Sequence, residues 1–216
     1  MTKAFPTPVS HGRRRVPRQI RAVATAEAIC QAACELVEKS RIHAVTTNHV
    51  AERAGVSIGS LYQYFTSVEG ILISAYEDAS AAAATHIQRM VRKHSDRPFD
   101  EFIHKMIFEV LKMYERNRFI LVDLPEEVLE LRQLNKSMSY GQLVRGTTRA
   151  VILQNTDHIS EEELNRRIFL TEHMVHDTLR SFVRDAPPKV CRKALCADVA
   201  AFAINSMSAR RDWVHP

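Results

Sequence analysis

Apolar residues recur along this chain at intervals of three and four positions, the spacing that places them on one face of an α-helix. Between Arg18 and about Lys39, one such stripe consists of Ile20, Val23, Ala26, Ile29, Ala33, Leu36 and Val37. Comparable stripes predict helices at about 46–54, 58–65, 66–93, 98–116, 118–122, 125–154, 160–185 and 189–209. No segment alternates between apolar and polar residues as a half-buried strand does. The pattern therefore predicts an all-α fold of about nine helices.

Residues that favour helix termini stand at the predicted boundaries. Thr47 and Ser57 are expected to cap the second and third helices, and Thr66 with Glu69 fits a capping box for the fourth. Ser160 is followed by three glutamates, which marks another helix start because acidic side chains there complement the helix dipole. These signals support the helix boundaries that the apolar pattern predicts.

The composition agrees with a folded, non-membrane protein. Hydrophobic residues make up 45% of the 216 positions, enough to bury a core, and no apolar run approaches the length of a membrane span. The first residues include basic side chains with no apolar run behind them, unlike a secretory signal. Cys30, Cys34, Cys191 and Cys196 form two distant pairs and do not resemble a secreted disulfide framework. We therefore expect a cytoplasmic protein without a membrane partner.

The net positive charge is confined to the first third of the chain. Residues 1–66 contain nine Lys and Arg against four Asp and Glu, whereas residues 67–216 contain 21 of each kind. Charge segregated in this way suggests a surface for a polyanion. Residues 1–17, with several prolines and the run Arg13-Arg14-Arg15, are expected to form a flexible basic arm.

Residues 46–65, TTNHVAERAGVSIGSLYQYF, have the residue types of a helix-turn-helix. Ala51 is small enough for two helices to cross closely, and Gly55 suits the left-handed conformation that ends a helix. Leu61 and Phe65 are expected to anchor the second helix of the motif in the core. The candidate DNA contacts are the residues left on the outside or at the helix starts, together with the arginines of the arm: Arg13, Arg14, Arg15, Thr47, Asn48, Ser57, Ile58, Gly59, Ser60, Tyr62, Gln63 and Tyr64.

The outward residues of this second helix suit a major groove. Gln63 can form two hydrogen bonds with an adenine edge, and Ile58 can contact a thymine methyl. Tyr62 and Tyr64 can reach phosphate oxygens, which set the register of binding. Gly59 would let the backbone approach the bases closely. The motif thus predicts binding to double-stranded DNA.

The stretch from about Arg18 to Tyr76 resembles the N-terminal domain of the TetR family of bacterial transcriptional regulators. The matching features are Thr46-Thr47, Val50-Ala51, Ala54-Gly55-Val56-Ser57 and Leu61-Tyr62-Gln63-Tyr64-Phe65. The resemblance implies a helix-turn-helix DNA-binding domain at residues 18–66 and a helical ligand-binding and dimerisation domain at 67–216. It also implies a regulator, most often a repressor, that binds a pseudo-palindromic operator on the nucleoid as a homodimer. A small hydrophobic or amphipathic effector would release it from that operator.

Two positions depart from the family pattern. Val68 stands where members usually have a phosphate-contacting lysine, and the arginines of the arm are expected to compensate. Arg41 stands near the end of the first helix, where many members have glycine. Because arginine is strained in a left-handed cap, we expect the link from Ser40 to Val45 to follow another path.

The resemblance assigns two sets of residues in the C-terminal domain. A dimer interface on the last two helices would use Leu164, Ile168, Val175, Leu179, Phe182, Ala197, Ala201 and Ile204. A ligand pocket in the middle of the domain would use Phe102, Met106, Met113, Tyr114, Phe119, Met138, Tyr140, Phe169 and His173. Met and Phe at helical spacing are also ordinary core residues, so the second set overlaps with the expected core.

Other functions have weaker support in the sequence. His173 and His176 share a helix face and could bind a metal with a third ligand such as His104, but such pairs are commonly surface residues, and we predict no metal. The cysteine pairs leave a redox role open, and Cys30 with Cys34 suits the core. The sequence contains no nucleophile elbow, phosphate loop or HExxH motif, so we predict neither an enzyme nor a cofactor. The remaining alternative is a helical ligand-binding or adaptor protein without operator binding.

Overall fold

The computed structural model describes residues 20–128, 131, 139–156 and 158–208. Over these residues the α-helices are α1 (Ile20–Ser40), α2 (Thr47–Ala54), α3 (Ile58–Tyr64), α4 (Val68–His94), α5 (Phe99–Arg116), α6 (Leu124–Glu127), α7 (Ser139–Gln154), α8 (Glu161–Asp185) and α9 (Arg192–Met207). A 3₁₀ helix at Ile42–Ala44 and a π-helix at Phe119–Asp123 complete the described helices. The described ranges contain no strand, which confirms the predicted all-α fold with an N-terminal helix-turn-helix.

The first compact unit, here called the head unit, consists of the described residues of Met1–Ala79 and Leu124–Arg132. Its helices α1, α2 and α3 contact one another. The fully buried side chains at their centre come from the apolar stripes that the sequence shows: Ala26, Ile29, Ala33, Val50, Leu61, Phe65, Ile71 and Leu72. Burial of these apolar groups is the main stabilising contribution to this small unit.

The second compact unit, the body unit, consists of the described residues of Ser80–Asp123 and Gln133–Pro216. Helices α5, α7, α8 and α9 contact one another within it, with the C-terminal part of α4. The buried side chains of α8 in this unit are Leu164, Ile168, Thr171, Val175, Leu179 and Val183. Among the described residues, no helix is both long and apolar enough to cross a membrane.

The predicted continuous helix over residues 125–154 is wrong. The α6 helix ends at Glu127, and Val128 is not helical. The Val128 N–H still donates to Leu124 O four residues back, but the Leu131 N–H donates to Val128 O only three residues back. Leu124, Val128 and Leu131 are all buried. Packing of these three side chains in the head unit overrides the helical periodicity that the sequence shows.

Two helix caps lie one residue away from their predicted positions. Thr46, not Thr47, caps α2, and its hydroxyl accepts a backbone N–H three residues on at 3.3 Å. Ser67, not Thr66, caps α4 in the same way at 3.1 Å. At both places two hydroxyl residues stand side by side, and local sequence does not show which one takes the extended backbone of an N-cap.

The link after α1 has a strained residue. Arg41 has φ 67° and ψ 155°. The link therefore avoids the left-handed helical conformation, as expected, but Arg41 still has a positive φ. Its N–H donates to Val37 O at 2.9 Å, and the chain then reverses so that Ile42 is buried. Conformations of this kind are close to glycine-only and cost on the order of 1–3 kcal/mol. The strained backbone at Arg41 thus accompanies the chain reversal that buries Ile42.

Candidate nucleic-acid interface and effector cavity

The turn between α2 and α3 is set by Gly55. This residue has φ 68° and ψ 32°, the left-handed conformation that the sequence predicts. The Gly55 N–H donates to Glu52 O at 3.1 Å, and the Val56 N–H donates to Ala51 O at 3.0 Å. These bonds satisfy carbonyls that the end of α2 would otherwise leave without partners. The turn thereby fixes the angle at which α3 leaves α2.

The α3 helix is held by its inner residues and presents the rest to solvent. Ser57 caps it, accepting the Ser60 N–H at 3.1 Å, as the sequence predicts. The side chains of Leu61 and Phe65 are fully buried and fix the helix to the head unit. Ile58 and Tyr62 are large apolar-bodied residues that stay 38% and 43% exposed. Exposed apolar bodies on a short, rigid helix are typical of a recognition surface.

The other predicted DNA contacts divide by exposure. Asn48, Gly59 and Gln63 are exposed, whereas Ser60 and Tyr64 are half-buried. We use the name recognition face for the exposed residues of α3: Ile58, Gly59, Tyr62 and Gln63. Arg13, Arg14 and Arg15 lie outside the described residues, as does the whole predicted arm.

A hydrogen bond that the sequence does not reveal connects the two helices of the motif. The hydroxyls of Thr47 and Tyr62 lie 3.0 Å apart. Since Thr47 is the first residue of α2, this contact places the Tyr62 phenol beside the N-terminus of that helix, where backbone N–H groups favour anions. A separation of 15 positions follows no helical spacing, so only the folded structure shows the pair.

A salt bridge fixes α2 against α1. The Arg53 guanidinium donates to Glu35 Oε2 through Nε at 3.0 Å and also through Nη2. The hydrogen bond from Arg53, and then one from Gln31, hold the pKa of Glu35 below its ordinary value. The charge of Arg53 is therefore already engaged within the head unit.

The body unit contains an apolar cavity of about 90 Å³. Phe102, Met106 and Tyr140, three of the predicted pocket residues, line it. The other lining residues come from α4, α5, α7, α8 and α9: Ile87, Val91, Ile103, Ile107, Val110, Val144, Thr147, Thr148, Val151, Thr171, Glu172, Val175, His176, Ala203 and Met207. A cavity of this size has room for several water-sized groups, such as the carbons of a short alkyl chain.

The remaining predicted pocket residues lie elsewhere. Met113 and Tyr114 are buried without lining the cavity, and Phe119 lies half-buried in the π-helix. Phe169 is 56% exposed on α8, because it points away from the helices that enclose the cavity. The ninth residue, Met138, lies outside the described residues. His173 lines a second, more polar pocket of about 100 Å³ that also includes Tyr140.

His176 is a cavity residue that the predicted pocket set omits. Its Nδ1 lies 2.9 Å from the Tyr114 hydroxyl and 3.5 Å from that of Tyr140, and the three rings meet edge to face. Desolvation of the ring, together with the nearby charge of Arg180 and of His173, lowers the pKa of His176 to about 3. The imidazole is therefore neutral at physiological pH. The three-residue spacing of His173 and His176 is compatible with a metal site, but His176 belongs to this aromatic cluster.

The described residues contain no group of three side chains placed to hold a metal ion. His173 Nδ1 lies 2.9 Å from Phe169 O, and the two rings are stacked. The four cysteines, all within the described residues, are thiols and form no disulfide. Cys30 is buried, and burial raises the pKa of the half-buried Cys34 to about 12, so the Cys34 thiol is protonated and unreactive.

Some of the predicted dimer residues are buried within the chain, and the others are exposed or half-buried. Leu164, Ile168, Val175 and Leu179 are core residues of one chain. Ala197 and Ala201 are exposed on α9, and Phe182 and Ile204 are half-buried. The apolar side chains that α8 leaves exposed are three others: Phe169, Leu170 and Met174. One apolar stripe of α8 thus faces its own chain, and a neighbouring one faces outward.

Comparison with known proteins connects these features to one family. Residues 29–75 match the family model described as bacterial regulatory proteins, tetR family. No curated protein matches the sequence of this chain.

Solved structures share the fold at low sequence identity. A tetR-family transcription regulator from Shewanella sp. PV-4 superposes with a TM-score of 0.64 at 19% identity, covering 86% of this chain and 99% of the other. A TetR-family regulator from Mesorhizobium loti MAFF303099 gives 0.65 at 12% identity, covering 88% and 98%. The fatty acid degradation regulator FadR from Bacillus halodurans gives 0.61 at 15% identity, covering 87% and 96%. The likeness extends over both the head and the body units.

Proposed function

We propose that this chain, whose residues 29–75 match the tetR family model of bacterial regulatory proteins, is a sequence-specific transcriptional regulator. The observation that carries the proposal is the recognition face of α3. The left-handed turn at Gly55 and the buried anchors Leu61 and Phe65 hold a short helix whose outer side chains are exposed. A helix presented in this way fits the major groove of duplex DNA.

The side chains of the recognition face suit both hydrogen bonding to base edges and contacts with the phosphate backbone. Gln63 is exposed and carries the amide that pairs with adenine N6 and N7. The Tyr62 and Thr47 hydroxyls share one hydrogen bond at the start of α2, so a phosphate oxygen there would accept from the one remaining hydroxyl proton and from the helix N-terminus. The excess of basic residues in 1–66 provides the sequence-independent attraction to the backbone. Nothing in this arrangement calls for catalysis, and we propose no enzymatic role.

We propose that the protein acts as a homodimer on a pseudo-palindromic operator. Phe169, Leu170 and Met174 form an exposed apolar strip on α8, and Ala197 and Ala201 present small side chains on α9 that permit close helix approach. An exposed apolar strip of this kind favours association with a second copy. Two recognition helices related by a two-fold axis would meet half-sites about one helical turn apart.

We further propose that an effector in the body cavity regulates DNA binding, most simply by releasing a repressor. The α4 helix contributes Ile71 and Leu72 to the core of the head unit, and Ile87 and Val91 to the cavity lining. An effector that binds one position of α4 better than another would shift the population of DNA-binding conformations. The coupling is limited by the difference in effector affinity for those conformations.

The test of DNA binding begins with selection of sequences from a random duplex library by the full-length protein. Affinity for the selected duplex is then measured by fluorescence anisotropy over a series of salt concentrations. We expect a slope of about −0.9 in log–log form for each phosphate contacted. Gln63→Ala is expected to weaken binding by roughly 1–3 kcal/mol, the value of one good base contact.

Gln88→Ala is the matched control, because Gln88 is exposed on α4 in the body unit. It should bind the selected duplex as the wild type does. Failure of any duplex to be enriched at low salt would favour a ligand-binding or adaptor protein instead. Equal affinities for the Gln63 and Gln88 variants would remove α3 from the interface.

A further inference from the structure

The apolar cavity and the polar pocket of the body unit share four lining residues. These are Tyr140 and Val144 of α7 and Glu172 and His176 of α8. The cavity is lined mainly by aliphatic and aromatic side chains, whereas the pocket adds Arg145, Asp177 and Arg180 among others. One molecule lying across both spaces would therefore place an apolar part inside and a polar end at Glu172 and His176.

The Glu172 carboxylate has one oxygen in use and one without a partner. Arg145 Nη2 donates to Glu172 Oε2 at 3.4 Å, a long contact. Glu172 Oε1 is buried and has no hydrogen-bond partner among the described residues. A buried acceptor without a donor destabilises the structure, and a ligand group that donates to it removes that penalty. A ligand that places a hydrogen-bond donor at the junction of the two spaces would therefore complement this oxygen.

The charges around this oxygen favour a neutral donor. The formal charges of Arg145 and Arg180 balance those of Glu172 and Asp177 in the polar pocket. His176 adds no charge at physiological pH, and the Arg180 guanidinium lies over the Tyr114 ring at 5.3 Å. A ligand carboxylate beside Glu172 would place two negative charges together. A ligand ammonium would form a charge-assisted hydrogen bond with Glu172, but it would lose its hydration and add a third positive charge beside Arg145 and Arg180.

We propose that the effector site takes a neutral, mainly apolar alcohol or phenol whose hydroxyl donates to Glu172 Oε1, and that it rejects the matching carboxylic acid. This inference rests on the proposed function only in treating the cavity as the effector site. The ligand hydroxyl donates its hydrogen bond to Glu172, next to the neutral ring of His176, which lines both spaces. The alkyl or aryl part occupies the cavity beside Val144 and Tyr140.

The test compares three probes that share one alkyl chain: n-hexanol, hexanoate and hexylamine. Binding to the full-length protein, without DNA, is measured by saturation-transfer NMR and calorimetry. Hexanoate and hexylamine are each expected to bind at least about tenfold more weakly than n-hexanol, the effect of about 1.4 kcal/mol. In Glu172→Gln the amide keeps an acceptor oxygen and gains a donor. That variant should retain n-hexanol binding and gain hexanoate binding, so that the preference between them disappears.

A second variant pair tests the location. Val144→Phe fills the junction and should abolish n-hexanol binding. Leu153→Phe adds a similar ring on the exposed side of the same helix and should not change binding. Circular dichroism establishes that each variant is folded.

The proposal is overturned if hexanoate or hexylamine binds the wild type as tightly as n-hexanol, or if none of the three binds. An unchanged preference in Glu172→Gln also overturns it. Because these measurements contain no DNA, they are independent of whether the recognition face binds an operator. Conversely, operator binding measured without any probe can fail while the ligand preference stands.

Discussion

Adding a single methyl group at Gly59 should stabilise the fold and weaken DNA binding. Gly59 lies in the first turn of α3, and its φ is not in the left-handed region. A Cβ built there meets nothing closer than Ser57 Oγ at 4.0 Å, which is ordinary contact. Gly59→Ala therefore removes the entropic disadvantage of a helical glycine without a clash, a gain of about 0.5–1 kcal/mol. For a chain of this size that raises Tm by roughly 1–4 °C.

The same methyl projects from the recognition face. If the backbone at Gly59 approaches the bases, the added Cβ holds α3 away from the groove floor. We expect DNA affinity to fall about tenfold, or by about 1.4 kcal/mol. Stability is measured by calorimetric scanning without DNA, and affinity is measured by anisotropy with the selected duplex. The opposite signs of the two effects separate a lost interface from a damaged fold.

Gly146→Ala is the control for this pair of effects. Gly146 is exposed in α7, and its Cβ would meet nothing within 4 Å. It should raise Tm by a similar amount and leave DNA affinity unchanged. Wild-type affinity in Gly59→Ala would refute close backbone approach by α3. A lower Tm in both variants would refute the conformational reasoning itself.

Three further changes test other features. Arg41→Gly should stabilise the protein by about 1 kcal/mol, because the relief of positive-φ strain exceeds the cost of a more flexible unfolded chain. Chemical denaturation measures the change, and a less stable variant would show that Arg41 is not strained. Gly55→Ala should destabilise by about 1 kcal/mol through its φ of 68° alone, since its Cβ would meet nothing within 4 Å, and an unchanged Tm would count against this. His176 lies beside the Tyr114 and Tyr140 hydroxyls and near the charges of Arg180 and His173, and it lines one pocket with Glu172 and Asp177. Its folded pKa of about 3 lies below the unfolded value of 6.5. Below pH 6.5 the unfolded state therefore binds more protons than the folded state, and the free energy of unfolding should fall by about 1.4 kcal/mol per unit as the pH is lowered from about 6 to 5. Chemical denaturation at each pH should show a weaker pH dependence in His176→Gln than in the wild type. An equal pH dependence in the two proteins would contradict the low pKa of His176.

The helices and the recognition face could be predicted from sequence because their determinants are local. Gly55 follows a helical apolar stripe and precedes Ser57, and each residue adopts the conformation that its chemistry favours. Leu61 and Phe65 are spaced as inner residues and are buried. The predicted caps of α2 and α4 were wrong by one residue, because the two neighbouring hydroxyl residues at each place have the same local preference.

The body unit was less predictable because a stripe of apolar residues does not identify what it packs against. Leu164 and Leu179 match an interface as well as a core, and the structure places them in the core. Phe169 fits a pocket by residue type but lies exposed, since helix rotation is set by tertiary packing. His176 and Glu172 are polar residues whose role follows from neighbours distant in sequence, Tyr114 and Arg145.

The segment from Leu124 to Leu131 belongs to the head unit, although the C-terminal part of α4 and the whole of α5 separate it from the rest of that unit in the chain. During synthesis, the nascent head cannot complete its core until this segment has left the ribosome. A fragment truncated after Ala79 would lack the buried side chains of Leu124, Val128 and Leu131. Excised DNA-binding fragments of this protein would therefore need that distant segment supplied, in cis or as a peptide, in order to fold fully.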